Sequence, residues 1–573
     1  MGAAEGVRAA IGLGLITALL LLGAGGVPPI AAGGTPVTLE AAALIGLCYY
    51  LSQSAWLAGT GYWTLYRPLV AGLLVGAILG DPWTGATVGA LVNIAFLGFL
   101  GTGAALPTDM ALVGYASAAI ALATGLGATA SLALGAPLGL LGYGLYRVRL
   151  RWCNATARRA VRYARRGDVQ GVGRCNVLAP QSMLLFLAWA PATVAVYLAA
   201  MAARGVTAAA SSWVIAWLHL TGVLLVALGA ASGLALLWTR RTSACYLGGF
   251  VAAIAATGPE TALLAGLLGA AGAASLPWLA RERPMAEERP VGGRPQAALR
   301  LGGQPRGEAV RGAPVRARDR LASLLRWVFF SHAGYSEDRL QGVGLTHAMA
   351  PILHRLYPTR SELASALGRY MAPFNVEPNL GSAVLGVLAH QEEALARGQT
   401  APSAPEETRA RLAGPVSGVG DTVIHGAIGT VAMAVGVAVT SVVGPAGAVA
   451  YAALMAATVW GVSAWAYRRG YRGGFPGVLE VLRSSAWRRV VVGAECAGSI
   501  IFGVLTAGPI AGLLAGAAGG IGDGTWMVRA LAALPAMALV GAFLALQRWG
   551  VRQAWATAGC YGIGLVVALL RLM

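Results

Sequence analysis

Lysine is absent from this chain, so all 42 of its basic residues are arginine. Charge of either sign is scarce, at 11% of 573 residues, and only 23 residues are acidic. A soluble domain of this length needs far more polar side chains to cover its surface, which excludes a soluble globular fold. Cysteine is sparse too. The six thiols, at 48, 153, 175, 245, 496 and 560, form no CxxC and no metal spacing, and read as inert. Six histidines (219, 332, 347, 354, 390 and 425) make no HExxH or HxH pair, so no metal and no cofactor are expected. Gly414–Asp421 is glycine-rich but lacks a Gly-Lys-Ser/Thr and a preceding strand, which argues against a nucleotide loop. What the chain does have is apolar surface: 57% apolar residues, 81 glycines and a mean hydropathy of +0.66.

Long uncharged runs dominate, among them 9–39, 41–66, 82–108, 110–146, 175–203, 205–239 and 422–467. A helix needs about 20 apolar residues to cross the hydrocarbon core, so several runs can span and the longest can hold hairpins or broken pairs. The net charge of +19 sits in three segments, 147–174, 281–326 and 468–489; the rest of the chain is balanced. Arginine-rich loops between apolar blocks follow the positive-inside pattern and place all three on the cytoplasmic side of an inner membrane. The same placement argues against a nucleic-acid partner, since no basic motif is interleaved with aromatics. Parity between loops 147–174 and 281–326 requires run 242–280 to enter and return, with its break at Gly258-Pro259-Glu260. The expected fold is all-α: a polytopic integral membrane protein with broken or re-entrant helices and a cytoplasmic amphipathic helical layer.

Residues 281–320, with five prolines and mixed charge, read as a disordered linker. They separate a membrane region at 40–280 from a mixed region at 321–573, itself divided into amphipathic helices (321–420) and membrane helices (421–573). Residues 1–39 form an apolar extension, read as an anchor or added helix in preference to a cleaved signal. Trp327, Phe329 and Phe330 beside Arg326 suggest a helix lying at the membrane interface. Ser361-Glu362 after Pro358 opens another helix, which Pro373 ends.

Polar groups at helix breaks within apolar surroundings are the candidates for chemistry. Asp109 closes the Gly- and Pro-rich stretch from Gly98, with Thr108 beside it and Asn93 upstream. Asn375, Glu377 and Asn379 crowd one turn, Glu392-Glu393 end the next helix, and Asp421 stands at the mouth of run 422–467. His425, four residues after Asp421, can share its helix face. Such neutral and acidic hydrogen-bonding groups suit a polyhydroxylated solute. Each can equally cap a helix or join the two halves.

The motifs Asp338-Arg339-Leu340-Gln341-Gly342-Val343-Gly344, Phe374-Asn375 with Pro378, Glu392-Glu393, Gly414-Pro415 through Gly420-Asp421, and Arg469-Gly470-Tyr471 occur in one order. With them, 321–573 resembles enzyme IID of the mannose/fructose/sorbose branch of the bacterial sugar phosphotransferase system (PTS). Arg67-Pro68-Leu69-Val70, Leu79-Gly80-Asp81, Thr84-Gly85, Gly89, Gly98, Gly103-Ala104-Ala105 with Asp109, and Gly248-Gly249-Phe250 make 40–280 similar to enzyme IIC. The resemblance implies a bilayer-embedded permease that translocates a hexose or related sugar, works with IIA and IIB phosphocarrier proteins, and assembles as a homo-oligomer. It implies no catalytic residue in this chain, because the phosphoryl-carrying histidines belong to IIA and IIB. Asn93, Glu377, His425 and Gly429 depart from the family pattern. Those departures leave open an uncoupled sugar transporter or a non-transporting receptor.

Overall fold

The computed structural model describes residues 34–57, 59–98, 108–256, 258–279, 313–517 and 526–570. The N-terminal extension up to residue 33, the linker from 280 to 312 and the glycine-rich stretch 99–107 lie outside the described residues. Within them the chain is helical. Strand-like pairing is limited to two isolated bridges, Ser336–Leu340 and Leu340–Phe374. Seven helices there are long and apolar enough to cross a bilayer. The fold is that of an all-α, multi-pass membrane protein.

Helix α1 (Leu39–Gln53) is followed by a tight pair, α2 (Pro68–Leu79) and α3 (Pro82–Ala95). Both are too short to cross alone, as the Arg67-Pro68 and Asp81-Pro82 punctuation implies. Gly80 caps α2 in a left-handed conformation, φ 90°. The Asp81 carboxylate then accepts the Thr84 N–H at 3.0 Å and caps α3. The pair meets through glycine: a Cβ on Gly72 would strike the backbone of Gly85 and Gly89. Behind it stands α4 (Met110–Thr124), uncharged along its whole length and buried at every residue.

Helix α5 (Leu138–Ala164) starts apolar and ends arginine-rich. It turns into α6 (Val169–Asn176) and an apolar segment, Leu178–Leu184 continuing to Ala190–Ala209 through a π turn at Leu185–Trp189. Helix α7 (Ser212–Leu237) is followed by α8 (Arg240–Ala255) and α9 (Pro259–Leu279), which pack against one another. The chain therefore breaks at the expected Gly258-Pro259 point.

In the second half, α10 (Ala317–Phe330), α11 (Gly342–Leu356), α12 (Arg360–Tyr370) and α13 (Pro378–Ala396) form a layer with its own apolar core. Ala157, Ala160, Ala164 and Val172 from the first half join that core. Thr359, two residues before the expected Ser361, caps α12 in a capping box with Glu362. Trp327 does not lie at an interface. It is fully buried, and its indole N–H donates to the Pro378 carbonyl at 2.8 Å. Trp327 packs the layer's core, where a Trp with a paired N–H is stable, while Val328 and Phe329 pack with the membrane helices. Membrane spans follow: α14 (Ala404–Gly420) runs through a π segment at Asp421–Gly429 into the apolar Thr430–Val443, and then come α15 (Pro445–Arg483), α16 (Ser485–Leu505) and α17 (Gln553–Leu570).

Ion pairs join the halves at the arginine-rich end. Arg147 meets Glu337 at 3.1 Å, and Arg158 meets Asp338 at 3.0 Å. Asn154 Oδ1 accepts the Glu337 N–H at 2.8 Å. All of these are exposed, so each contributes little on its own and together they set register.

Candidate functional site

A cavity of about 250 Å³ opens where the two halves meet. That is near the small end of ligand pockets and suits one small solute. The first half supplies Gln53, Tyr62, Trp63, Tyr66, Thr108, Asp109, Tyr146 and Arg149 to its wall. The second half supplies His332, Tyr335, Asn375, Glu377, Asn379, Ser417, Asp421 and His425.

Asp109 is there because it caps α4. Its Oδ1 accepts the Leu112 N–H at 3.1 Å. Oδ2 accepts the Tyr49 hydroxyl at 2.6 Å and the Gln53 amide at 3.1 Å. Each carboxylate oxygen has two lone pairs, so the group keeps some capacity for a hydroxyl donor.

Glu377 caps α13 in the same way, from the other side. Oε1 accepts from Asn379 N (3.1 Å) and Asn379 Nδ2 (2.7 Å), and Oε2 accepts from Leu380 N at 2.7 Å. Burial pushes its pKa up to about 7, against the lowering effect of those three donors. Gly420 packs on the Glu377 side chain so closely that a Cβ there would meet Glu377 Cβ at 2.6 Å. Asn379 Oδ1 accepts the Ser463 hydroxyl at 3.3 Å, and Asn375 Oδ1 accepts the Tyr335 hydroxyl at 3.4 Å.

Asp421 and His425 lie on the π segment. Wide turns of this kind recur at functional sites because they re-aim side chains. The Asp421 carboxylate accepts from Ser417 Oγ at 3.4 Å and lies 3.5 Å from His425 Nδ1. That second separation is too long for a well-aligned hydrogen bond, and His425 Nδ1 has no hydrogen-bond partner among the described residues. The imidazole leans on Trp63, ring centroids 4.9 Å apart, and on Tyr62 at 6.1 Å. Behind this aromatic wall Arg67 is wholly buried, its guanidinium 4.8 Å from the Tyr62 ring and 4.9 Å from Trp63. The Tyr62 hydroxyl, also on the cavity wall, is buried without a hydrogen-bond partner among the described residues.

On the opposite wall, Gln341 Nε2 lies 2.9 Å from His332 Nε2 and donates to the Val376 carbonyl at 2.7 Å. Burial, reinforced by the Arg149 charge, holds the His332 pKa down at about 4. The ring is therefore neutral at pH 7, and it stacks on Tyr335 at 5.5 Å.

Six of the nine candidate residues thus surround one space: Thr108, Asp109, Asn375, Glu377, Asn379 and Asp421. Three do not reach it. Asn93 is buried within α3, its Nδ2 unpartnered among the described residues. Glu392 is bound by the hydroxyls of Tyr357 (2.6 Å) and Tyr370 (2.7 Å) and by Arg369 at 2.9 Å. Glu393 accepts from Tyr471 at 2.6 Å and pairs with Arg397 at 2.9 Å. The cavity residues that sequence reasoning missed are chiefly aromatic: Tyr62, Trp63, Tyr66 and Tyr335, with Gln53 and His332. The i, i+4 pair Tyr62 and Tyr66, just before Arg67, was the available signal.

Comparison with known proteins gives two family matches. The PTS system sorbose-specific IIC component matches residues 39–274. The PTS system mannose/fructose/sorbose family IID component matches residues 314–571. The sorbose-specific EIID component of Klebsiella pneumoniae is 26% identical over 32% of this chain and 68% of its own. N-acetylgalactosamine permease IIC component 1 of Escherichia coli K12 is 29% identical over 33% of this chain and 70% of its own. A solved complex of a mannose transporter with microcin E492 is 24% identical over 34% of this chain and 71% of that one, with a TM-score of 0.26.

Proposed function

The chain belongs to the mannose/fructose/sorbose family of PTS sugar permeases, with a IIC and a IID component in one polypeptide, and from that premise we propose that the sugar is held in the cavity between them. The family's role is sugar transport coupled to phosphotransfer by IIB, with IIA and IIB as partners. One observation carries the proposal: three carboxylates, three side-chain amides and an aromatic wall, drawn from both components, surround a single cavity. A sugar presents hydroxyl groups around its edge and C–H groups on its faces. Carboxylates and amides satisfy the edge, and rings such as Trp63 pack on a face. Glu377 and Asp109 sit at helix N-termini, where the backbone holds them in place before a ligand arrives.

In this reading Thr108, Asp109, Asn375, Glu377, Asn379 and Asp421 contact sugar, and His425 and Tyr62 complete the wall. Glu392 and Glu393 brace the helical layer. Ordinary boundaries go with it: a IIC component at 40–280, a linker at 281–320 and a IID component at 321–573. The cytoplasmic membrane is the proposed location and an oligomer of the whole chain the proposed state, testable by mass in detergent. The direct test of function is phosphoenolpyruvate-dependent sugar phosphorylation by membranes containing this chain with cognate IIA and IIB. Product with wild type and its loss with D109N and D421N support the reading. Wild-type activity in both variants would reject the cavity as the sugar site.

A further inference from the structure

A second recess, mostly apolar with two arginines on its wall, lies on the first half and shares no lining residue with the cavity. It forms where the arginine-rich end of α5 and α6 meets the apolar stretch beginning at Leu178. Arg159 and Arg174 flank its upper part, and neither has an acidic partner among the described residues. Leu178 and Leu185, both exposed, form its lower part, with Trp56 and Tyr163 at the rim. Trp56 is exposed and Tyr163 half-buried, and aromatic rings at such a boundary match the headgroup level of a bilayer.

The decisive residue is Gln181. It is only 4% exposed, it lines the recess, and neither its Oε1 nor its Nε2 has a hydrogen-bond partner among the described residues. A buried carboxamide left unpaired is destabilising, and such a group is retained where something else satisfies it. A partner here must offer negative charge to two guanidinium groups, hydrogen-bonding oxygens to an amide, and apolar surface to two leucines.

We propose that this recess binds an anionic phospholipid, its phosphate between Arg159 and Arg174, its glycerol-ester region on Gln181, and its acyl chains against Leu178 and Leu185. Basic pockets between membrane helices on the cytoplasmic side hold anionic headgroups by this combination of charge and apolar contact. A free phosphate would satisfy the arginines but not the leucines. The bound lipid braces the seam between the two components. Trp56 packs edge-on against Phe330 of the second half at 6.2 Å, and Asn176, next to Cys175 in the recess, donates to the Phe330 carbonyl at 3.0 Å.

The test uses the full chain purified in detergent, with phosphatidylglycerol, phosphatidylcholine or inorganic phosphate added. Lipid retention is read by native mass spectrometry and stability by thermal unfolding. Phosphatidylglycerol is expected to stay bound and to raise the unfolding temperature, while phosphatidylcholine and phosphate do neither. R159Q/R174Q should weaken retention about tenfold or more. Q181L, which removes an unpaired polar group and so should not impair folding, should weaken it as well. R151Q, an exposed arginine outside the recess, should leave it unchanged. Equal retention by wild type, R159Q/R174Q and Q181L would overturn the proposal. So would equal stabilisation by phosphate, which would assign the recess to a free anion, or by phosphatidylcholine, which would mark it as unspecific lipid contact.

Discussion

Helix α13 carries a buried glutamate at each end, and the two are built differently. Glu377 at the N-terminus is held only by N–H donors, with no cation among its bonded partners, and it faces the cavity. Glu392 near the C-terminus is wholly buried among Arg369 and two tyrosine hydroxyls. The helix dipole explains part of the contrast. A carboxylate is favoured at the first end and disfavoured at the second, where the Arg369 charge opposes that penalty. The pair teaches how to tell a joint from a site. A saturated charge fixes two helices together, and an incompletely satisfied one beside open space can take a ligand.

The largest effect is expected at the joint. E392A leaves Arg369 and two buried hydroxyls without their acceptor, and should cost about 3 kcal/mol of stability or more. Thermal unfolding of the purified chain measures this. Sugar affinity of the protein that still folds should be unchanged, and a selective loss of affinity would move Glu392 into the site.

D109N comes next. The side chain keeps its shape but loses charge and an acceptor, so sugar binding should weaken by about 10- to 100-fold. Isothermal titration would show it, and affinity within a factor of two of wild type would count against the cavity.

The third prediction concerns pH. The Glu377 pKa is raised from 4.5 to about 7, so the folded state prefers the protonated form. Its contribution to stability is fully present below pH 4.5 and is lost as pH rises to 7. Wild type should therefore lose stability relative to E377Q across that window, by up to a few kcal/mol, and stay level above it. Parallel pH profiles of the two proteins would contradict the raised pKa.

Smallest of all is Y62F. Removing an unpaired hydroxyl leaves the ring wall intact, so stability should be unchanged. Sugar affinity should fall by no more than about tenfold if that hydroxyl meets a sugar oxygen.

Much of the fold was legible because it rests on local properties. Hydropathy marked the spans, and Pro and Gly marked the breaks at 67–68, 80–82 and 258–259. Thr359 and Glu362 illustrate a cap readable to within two residues. Trp327 was misread because an aromatic cluster beside an arginine looks the same at a membrane interface and in a packed helical layer. Only the Pro378 carbonyl, 51 residues away, separates the two cases. The candidate site was half legible. Carboxylates and amides at helix breaks stood out, but Glu377 and Glu392 looked alike because their difference lies in partners from other helices. Tyr62 and Trp63 went unnoticed for the same reason, since an aromatic in an apolar run carries no signal of its own.

The sequence by itself determined the solvent this protein lives in, its helical class, its two-part organisation and the family to which it belongs. These follow from side-chain type and short-range spacing, which need no folding to be read. Tertiary structure alone decided which polar groups meet. Trp63 and His425 are far apart in sequence and touch because α13, the π segment and the short helices of the first half converge at one seam. Whether a buried carboxylate is saturated or available depends on distances of a few ångströms between such segments, and no local pattern encodes those distances.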